Sequence, residues 1–171
     1  GPMLVLLPGS HAKFVEVDAT GAITRCLTTL SGELLDLLIH QSVLASGFSQ
    51  SWPESLDLVA VIAGARLSCK ESLSRAAFST RVLELFSPTS EAGRFSFLLG
   101  AVLVQDLISC QAVWSPGSKL IVCGRTVMQT AYAAIARGVL GFGTVVTPDQ
   151  NAIDELAGHG ALAIARKRGL L

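Results

Sequence analysis

The sequence predicts an α/β domain built on a five-stranded mixed sheet, a β-meander followed by a β-α-β-α unit, with a helical insertion after the third strand. Three observations carry this. The first 29 residues break into short apolar or alternating runs separated by glycine turns. From Ser31 to about Val113 the apolar period becomes helical, and the remainder alternates strand, helix, strand, helix. The right-handed crossover rule then joins the late parallel strands to the meander in one sheet.

Leu4 to Leu7 is an apolar run closed by Pro8-Gly9, and Lys13 to Val17 alternates polar with apolar, which makes two strands joined by a tight turn. Asp18-Ala19-Thr20-Gly21 is a second turn, and Ala22 to Thr29 the third strand. A helix follows from Ser31, its expected N-cap, with Glu33 in the first turn and an end near Gly47. Leu56 to Ala65 and Leu73 to Phe86 have helical spacing, separated by the polar stretch Ser68 to Ser74, after a connector at Gln50 to Pro53. Phe95 to Val113 is apolar on most sides, as a central helix would be, and Ser115-Pro116-Gly117-Ser118 stops it. Leu120 to Cys123 and Gly143 to Val146 are the late strands, and Val127 to Arg137 and Asn151 to Arg168 the late helices, with Pro148 and Asp149 opening the last.

The length, 171 residues, suits one domain, taken as residues 3–171, because Gly1-Pro2 before Met3 reads as the scar of a cleaved expression tag. Half of the residues are hydrophobic and 15% are charged, against roughly a quarter in an average domain. So little polar surface implies an apolar face covered by a second copy or by another domain. Thirteen basic residues balance thirteen acidic ones, which excludes a global field for nucleic acid or an anionic membrane. The apolar stretch Phe95 to Trp114 is interrupted by Gln105 and Asp106, which argues against a membrane span. Cys26, Cys69, Cys110 and Cys123 lie far apart, form no metal-ligand spacing and read as reduced core residues of a soluble, cytoplasmic protein. The histidines His11, His40 and His159 match no metal spacing either, so no metal site is expected in this chain.

The turn Pro8-Gly9-Ser10-His11-Ala12-Lys13 combines a glycine for close backbone approach, a hydroxyl donor and a cation. That set fits a phosphate cradle or an ordinary hairpin. Ser31, Gly32 and Glu33 open a helix whose amides could face an anionic substrate or phosphate, or serve only as a cap. Gly124, Arg125 and Thr126 form a glycine turn between a strand and a helix N-terminus.

The stretch LPGSHAKFVEV, followed by ITRCLTTLSGELLDLLIHQSVL, resembles the start of the C-terminal domain of 2-keto-3-deoxygalactonate kinases, which carry PGTHSKWV and a T-x-MTGEL-type segment. Phe78-Ser79-Thr80-Arg81 is similar to the family's LFSxR segment, where Arg81 could meet a substrate carboxylate or a partner. Ser96 to Ala101 falls where the family has SGLLIG and a nearby glutamate, a position that Leu103 occupies here. Ser10 and Phe14 stand for the family's threonine and tryptophan, exchanges that keep the donor and the apolar packing.

The resemblance implies the ribonuclease-H-like fold of actin, hexokinase and sugar kinases. It implies a phosphate loop at Gly9, Ser10, His11 and Lys13, an adenosine motif at Gly124, Arg125 and Thr126, and a substrate or phosphate side at Ser31, Gly32 and Glu33. The complete enzyme would use ATP and Mg²⁺ to phosphorylate the 6-hydroxyl of a 2-keto-3-deoxy sugar acid. Its first domain, with a DxGxT/S-type hairpin, the general base and the metal carboxylates, is expected outside this chain, which alone would be inactive. The alternative is a non-catalytic module for homo-oligomerisation or protein interaction, to which Phe97 and Leu103 point.

Overall fold

A computed structural model describes residues 3–49, 51–114 and 117–170. Gly1 and Pro2 of the expected tag scar, Gln50 of the predicted connector, and Ser115 and Pro116 of the predicted stop lie outside the described residues.

The sheet is formed by β1 (Met3–Leu7), β2 (Ala12–Val17), β3 (Ile23–Thr29), β4 (Lys119–Val122) and β5 (Val145–Val146), in the order β3-β2-β1-β4-β5. The first three strands pair antiparallel, whereas β1 with β4 and β4 with β5 pair parallel. Strand period sets the buried face: Leu4 and Leu6, Ala12 and Phe14, and Leu120 and Val122 are all buried, two residues apart on each strand. Register brings Leu6 opposite both Phe14 and Val122. The outer strand β3 is exposed along most of its length, and the last strand is shorter than the run from Gly143 suggests.

These strand residues share one hydrophobic cluster with Leu98, Leu99, Leu103 and Leu107 of α4 (Glu91–Gln111). Leu103, at the position where the resemblance expects a glutamate, is a fully buried core leucine. By length and composition α4 could cross a membrane, but 72% of its most apolar window is buried within the fold, as for a core helix.

The inserted helices are α1 (Ser31–Gln41), α2 (Leu58–Lys70), α3 (Leu73–Phe86) and α4, with a 3₁₀ turn at Ala45–Gly47 ending the first segment. Local chemistry sets their starts. Asp57 accepts from the amides of Val59 and Ala60, Ser72 from Arg75, and Ser90 from Gly93. Because the caps lie at Asp57 and Ser72, α2 continues through the polar residues Ser68 to Lys70 that the sequence reading placed in a break. The late helices are α5 (Thr126–Gly138) and α6 (Gln150–Lys167), the latter capped by Asp149.

At the α2–α4 crossing, a Cβ on Gly64 would lie 1.9 Å from the Phe97 carbonyl oxygen, and one on Gly100 the same distance from that of Val61. The two backbones touch where both helices lack side chains. On α3, Phe78, Val82, Leu85 and Phe86 are exposed, an apolar stripe of the kind the low charge content implies.

Two sequence expectations are corrected. Ser31 does not cap α1: Leu30 holds the cap position without a side-chain bond, and the Ser31 hydroxyl turns inward to Asp106. Of the cysteines, only Cys110 is buried, while Cys26 and Cys69 are exposed because they fall on the open edge strand and on the outer side of α2.

Candidate functional site

Parallel strands end with their carbonyl groups and following loops on one side of a sheet, where α/β proteins place ligands. Here β1 runs into Pro8-Gly9 and β4 into Cys123-Gly124, and the Cys123 amide donates to the Leu6 carbonyl at 2.8 Å, so both turns leave side by side. Gly124 sits under Pro8; a Cβ there would meet the proline Cδ at 3.0 Å.

The N-terminus of α1 closes on the first of these turns. A Cβ on Gly32 would lie 2.1 Å from the Gly9 carbonyl oxygen, so only glycine permits the approach. The Glu33 amide donates to the Ser10 carbonyl at 2.9 Å, and His11 Nε2 meets Glu33 Oε2 at 2.8 Å. Two segments separated by twenty residues of hairpin and strand are thereby one structural unit.

Pro8, Gly9, Ser10, His11, Gly32, Glu33, Asp36 and Trp52 line one wall and end of a cleft of about 810 Å³, and Arg125, Thr126, Val127 and Met128 line the other. That volume lies in the range of small-ligand sites, roughly 300–1,000 Å³. The helices α1 and α5 both direct their N-termini to this cleft, and no side chain caps either one. At α5, free first-turn amides, the partial positive charge of the helix end and Arg125 suit an anion, whereas at α1 the Glu33 amide is bonded to Ser10 and the Glu33 and Asp36 carboxylates line the cleft.

The expected residues thus fall together, with exceptions. Gly9, Ser10, His11, Gly32, Glu33, Arg125 and Thr126 line the cleft, and Gly124 supports it from beneath Pro8. Lys13 is not among the lining residues; its ammonium donates back to the His11 carbonyl at 3.3 Å. Ser31 is buried behind the wall. Arg81 is committed within the insertion, where it pairs with Glu84 at 2.6 Å and donates to Ser46 at 2.8 Å.

Sequence reasoning missed Asp36, Trp52 and Asp106. Asp36 follows Glu33 by three residues, so the helical period puts both carboxylates on one face; it also pairs with His40 at 3.0 Å. Trp52 packs edge-on against Phe95, at 5.2 Å between ring centroids, and lines the cleft. Asp106, on α4, is 3% exposed and accepts from the hydroxyls of Ser31 and of Tyr132, the latter at 2.5 Å. Burial raises its pKa above the ordinary carboxylate value, against the hydrogen bonds from Ser31, Tyr132 and Thr29, which lower it. Burial, then the Asp106 charge, pushes the Tyr132 hydroxyl well up. Among the described residues, no group of three or more histidine, cysteine or acidic side chains could hold a metal ion.

Fold and cleft define a class: a mixed five-stranded α/β domain with an anion-suited site at the carboxyl ends of its parallel strands. The sequence supplies the particular family. The model of the family 2-keto-3-deoxy-galactonokinase matches residues 1–158, and the chain belongs to that family of sugar-acid kinases. A crystal structure of a protein from Sinorhizobium meliloti assigned as a 2-dehydro-3-deoxygalactonokinase has the same fold, with a TM-score of 0.82 at 22% identity. The match covers 100% of this chain and 56% of that one, so the chain spans little more than half the length of its structural relative. Comparison with curated proteins finds no match.

Proposed function

We propose that this chain is the nucleotide-facing C-terminal domain, residues 3–171, of a cytoplasmic kinase that transfers the ATP γ-phosphate to the 6-hydroxyl of 2-keto-3-deoxygalactonate. The observation that carries the reading is the convergence of the Gly9–His11 turn and the uncapped α5 N-terminus on one cleft. The strand order β3-β2-β1-β4-β5 supports a ribonuclease-H-like, actin-like assignment, in which the first turn faces the β- and γ-phosphates and Gly124, Arg125 and Thr126 face adenosine. Ser10 and the adjacent amides would donate to phosphate oxygens, and Arg125 would balance their charge.

In the transfer, the bond from the γ-phosphorus to the bridging oxygen of ADP breaks as the bond from the sugar 6-oxygen to phosphorus forms, and the hydroxyl proton passes to a base. That base and the main carboxylates for Mg²⁺ belong to a preceding domain in this reading, which the 56% coverage of the relative supports. Glu33 and Asp36 are the cleft carboxylates of this chain, and Glu33 suits a hydrogen bond to a metal-bound water. Without the other domain the chain would bind nucleotide weakly and transfer no phosphate.

The exposed α3 stripe of Phe78, Val82, Leu85 and Phe86 favours a second reading, a non-catalytic module for self-association or a protein partner. Titration calorimetry of the folded chain with ADP separates the two. Heat of binding that disappears in Gly9→Val supports the kinase half, and no heat with the fold intact supports the module. Restoring the preceding domain and assaying the keto acid with ATP tests the full activity.

A further inference from the structure

Buried carboxylates are costly, and an apolar replacement of similar shape is often neutral or stabilising. Asp106 nevertheless lies in the core with the two hydroxyls converging on a single oxygen, Oδ2. One comes from Ser31, which directly precedes the Gly32-Glu33 pair clamped to the Gly9–Ser10 turn. The other comes from Tyr132, which follows the cleft-lining Met128 by four residues and so lies on the same face of α5. Apolar contacts are non-directional, whereas two hydrogen bonds to one atom hold direction and distance.

We propose that Asp106 is a positioning residue: through Ser31 and Tyr132 it ties the first turn of α1 to the middle of α5 and thereby sets the width of the cleft between them. Its relevance to nucleotide binding rests on the functional reading above, but the tie itself does not.

The test compares the wild-type chain with Asp106→Asn and Tyr132→Phe by native-state amide hydrogen exchange and by ADP calorimetry, below the melting temperature of each variant. Tyr132→Phe removes one hydroxyl on α5 and keeps the ring. It is expected to speed exchange of the Glu33 amide, on the opposite wall, about tenfold beyond any change at Val104 in the core of α4. Asp106→Asn is expected to do the same at both Glu33 and Gln129. Exchange that rises equally at Val104, or only on α5 in Tyr132→Phe, would reduce Asp106 to general stability and overturn the proposal.

ADP affinity is expected to fall at least about threefold in Tyr132→Phe. A wild-type chain that binds no ADP but keeps the exchange coupling would sink the kinase reading and leave the tie standing. Equal ADP affinity in wild type and variant would overturn the positioning role.

Discussion

Gly32 lies so close to Gly9 that a Cβ on the former would stand 2.1 Å from the carbonyl oxygen of the latter. Nothing flexible can yield there, because the obstacle is backbone. Gly32→Ala is therefore expected to lever α1 from the turn and to destabilise the chain by about 1–3 kcal/mol, as overpacking does. Urea denaturation would measure it, and an unchanged midpoint would show that the contact is looser than described.

Gly9 and Gly124 separate binding from folding. A Cβ on Gly9 would meet only the His11 carbonyl oxygen, at 3.9 Å, so Gly9→Val is expected to leave stability within about 0.5 kcal/mol while its side chain fills the space for a phosphate. Gly124→Val must also displace the Pro8 ring, at 3.0 Å, and is expected to cost stability as well as affinity. Melting curves beside ADP titrations distinguish the two variants.

The His11–Glu33 pair, 2.8 Å apart, is half exposed on both sides, at 49% and 52%. Such a pair contributes at most about 1 kcal/mol, so Glu33→Gln is expected to fold normally and to lower chiefly the Mg²⁺-dependent part of ADP affinity. Calorimetry with and without Mg²⁺ reads that difference.

Asp106 has a pKa raised in the folded chain by burial, relative to the ordinary aspartate value of 3.8. Its protonation thus favours the native state: the contribution is fully present below the unfolded pKa and is lost as pH rises through the folded one. The stability of wild type relative to Asp106→Asn is expected to increase as pH is lowered from neutrality toward 4. Paired denaturation curves across that window check the sign, since subtracting the variant removes the carboxylates common to both.

The cysteines give a chemical test of burial. Cys26 and Cys69 are exposed, whereas burial pushes the Cys110 thiol up to about 12. A thiol reagent at neutral pH is expected to modify the first two in the native chain and Cys110 only after unfolding, with mass spectrometry of the digest assigning each site.

Periodicity made the order of elements readable in advance, because alternation in Lys13 to Val17 and the i, i+3, i+4 spacing of Leu34, Leu37 and Leu38 are local properties. The glycine turns of the cleft were also readable, since their residue types suit close approach to an anion. Several side-chain roles were not. Ser31 has the local signature of a cap, and its actual partner lies 75 residues away on α4. Asp106 reads in sequence only as a blemish in an apolar helix, because what makes it useful is the meeting of three elements around it. Lys13 supplied a charge to the motif, but strand alternation and a bond to the His11 carbonyl turn its ammonium away from the cleft lining.

Where Gly64 and Gly100 let the main chains of α2 and α4 meet, no side chain is left to act as a lubricating layer. The pair should therefore move as a single beam when the domain flexes, with the give left to the loops at the helix ends.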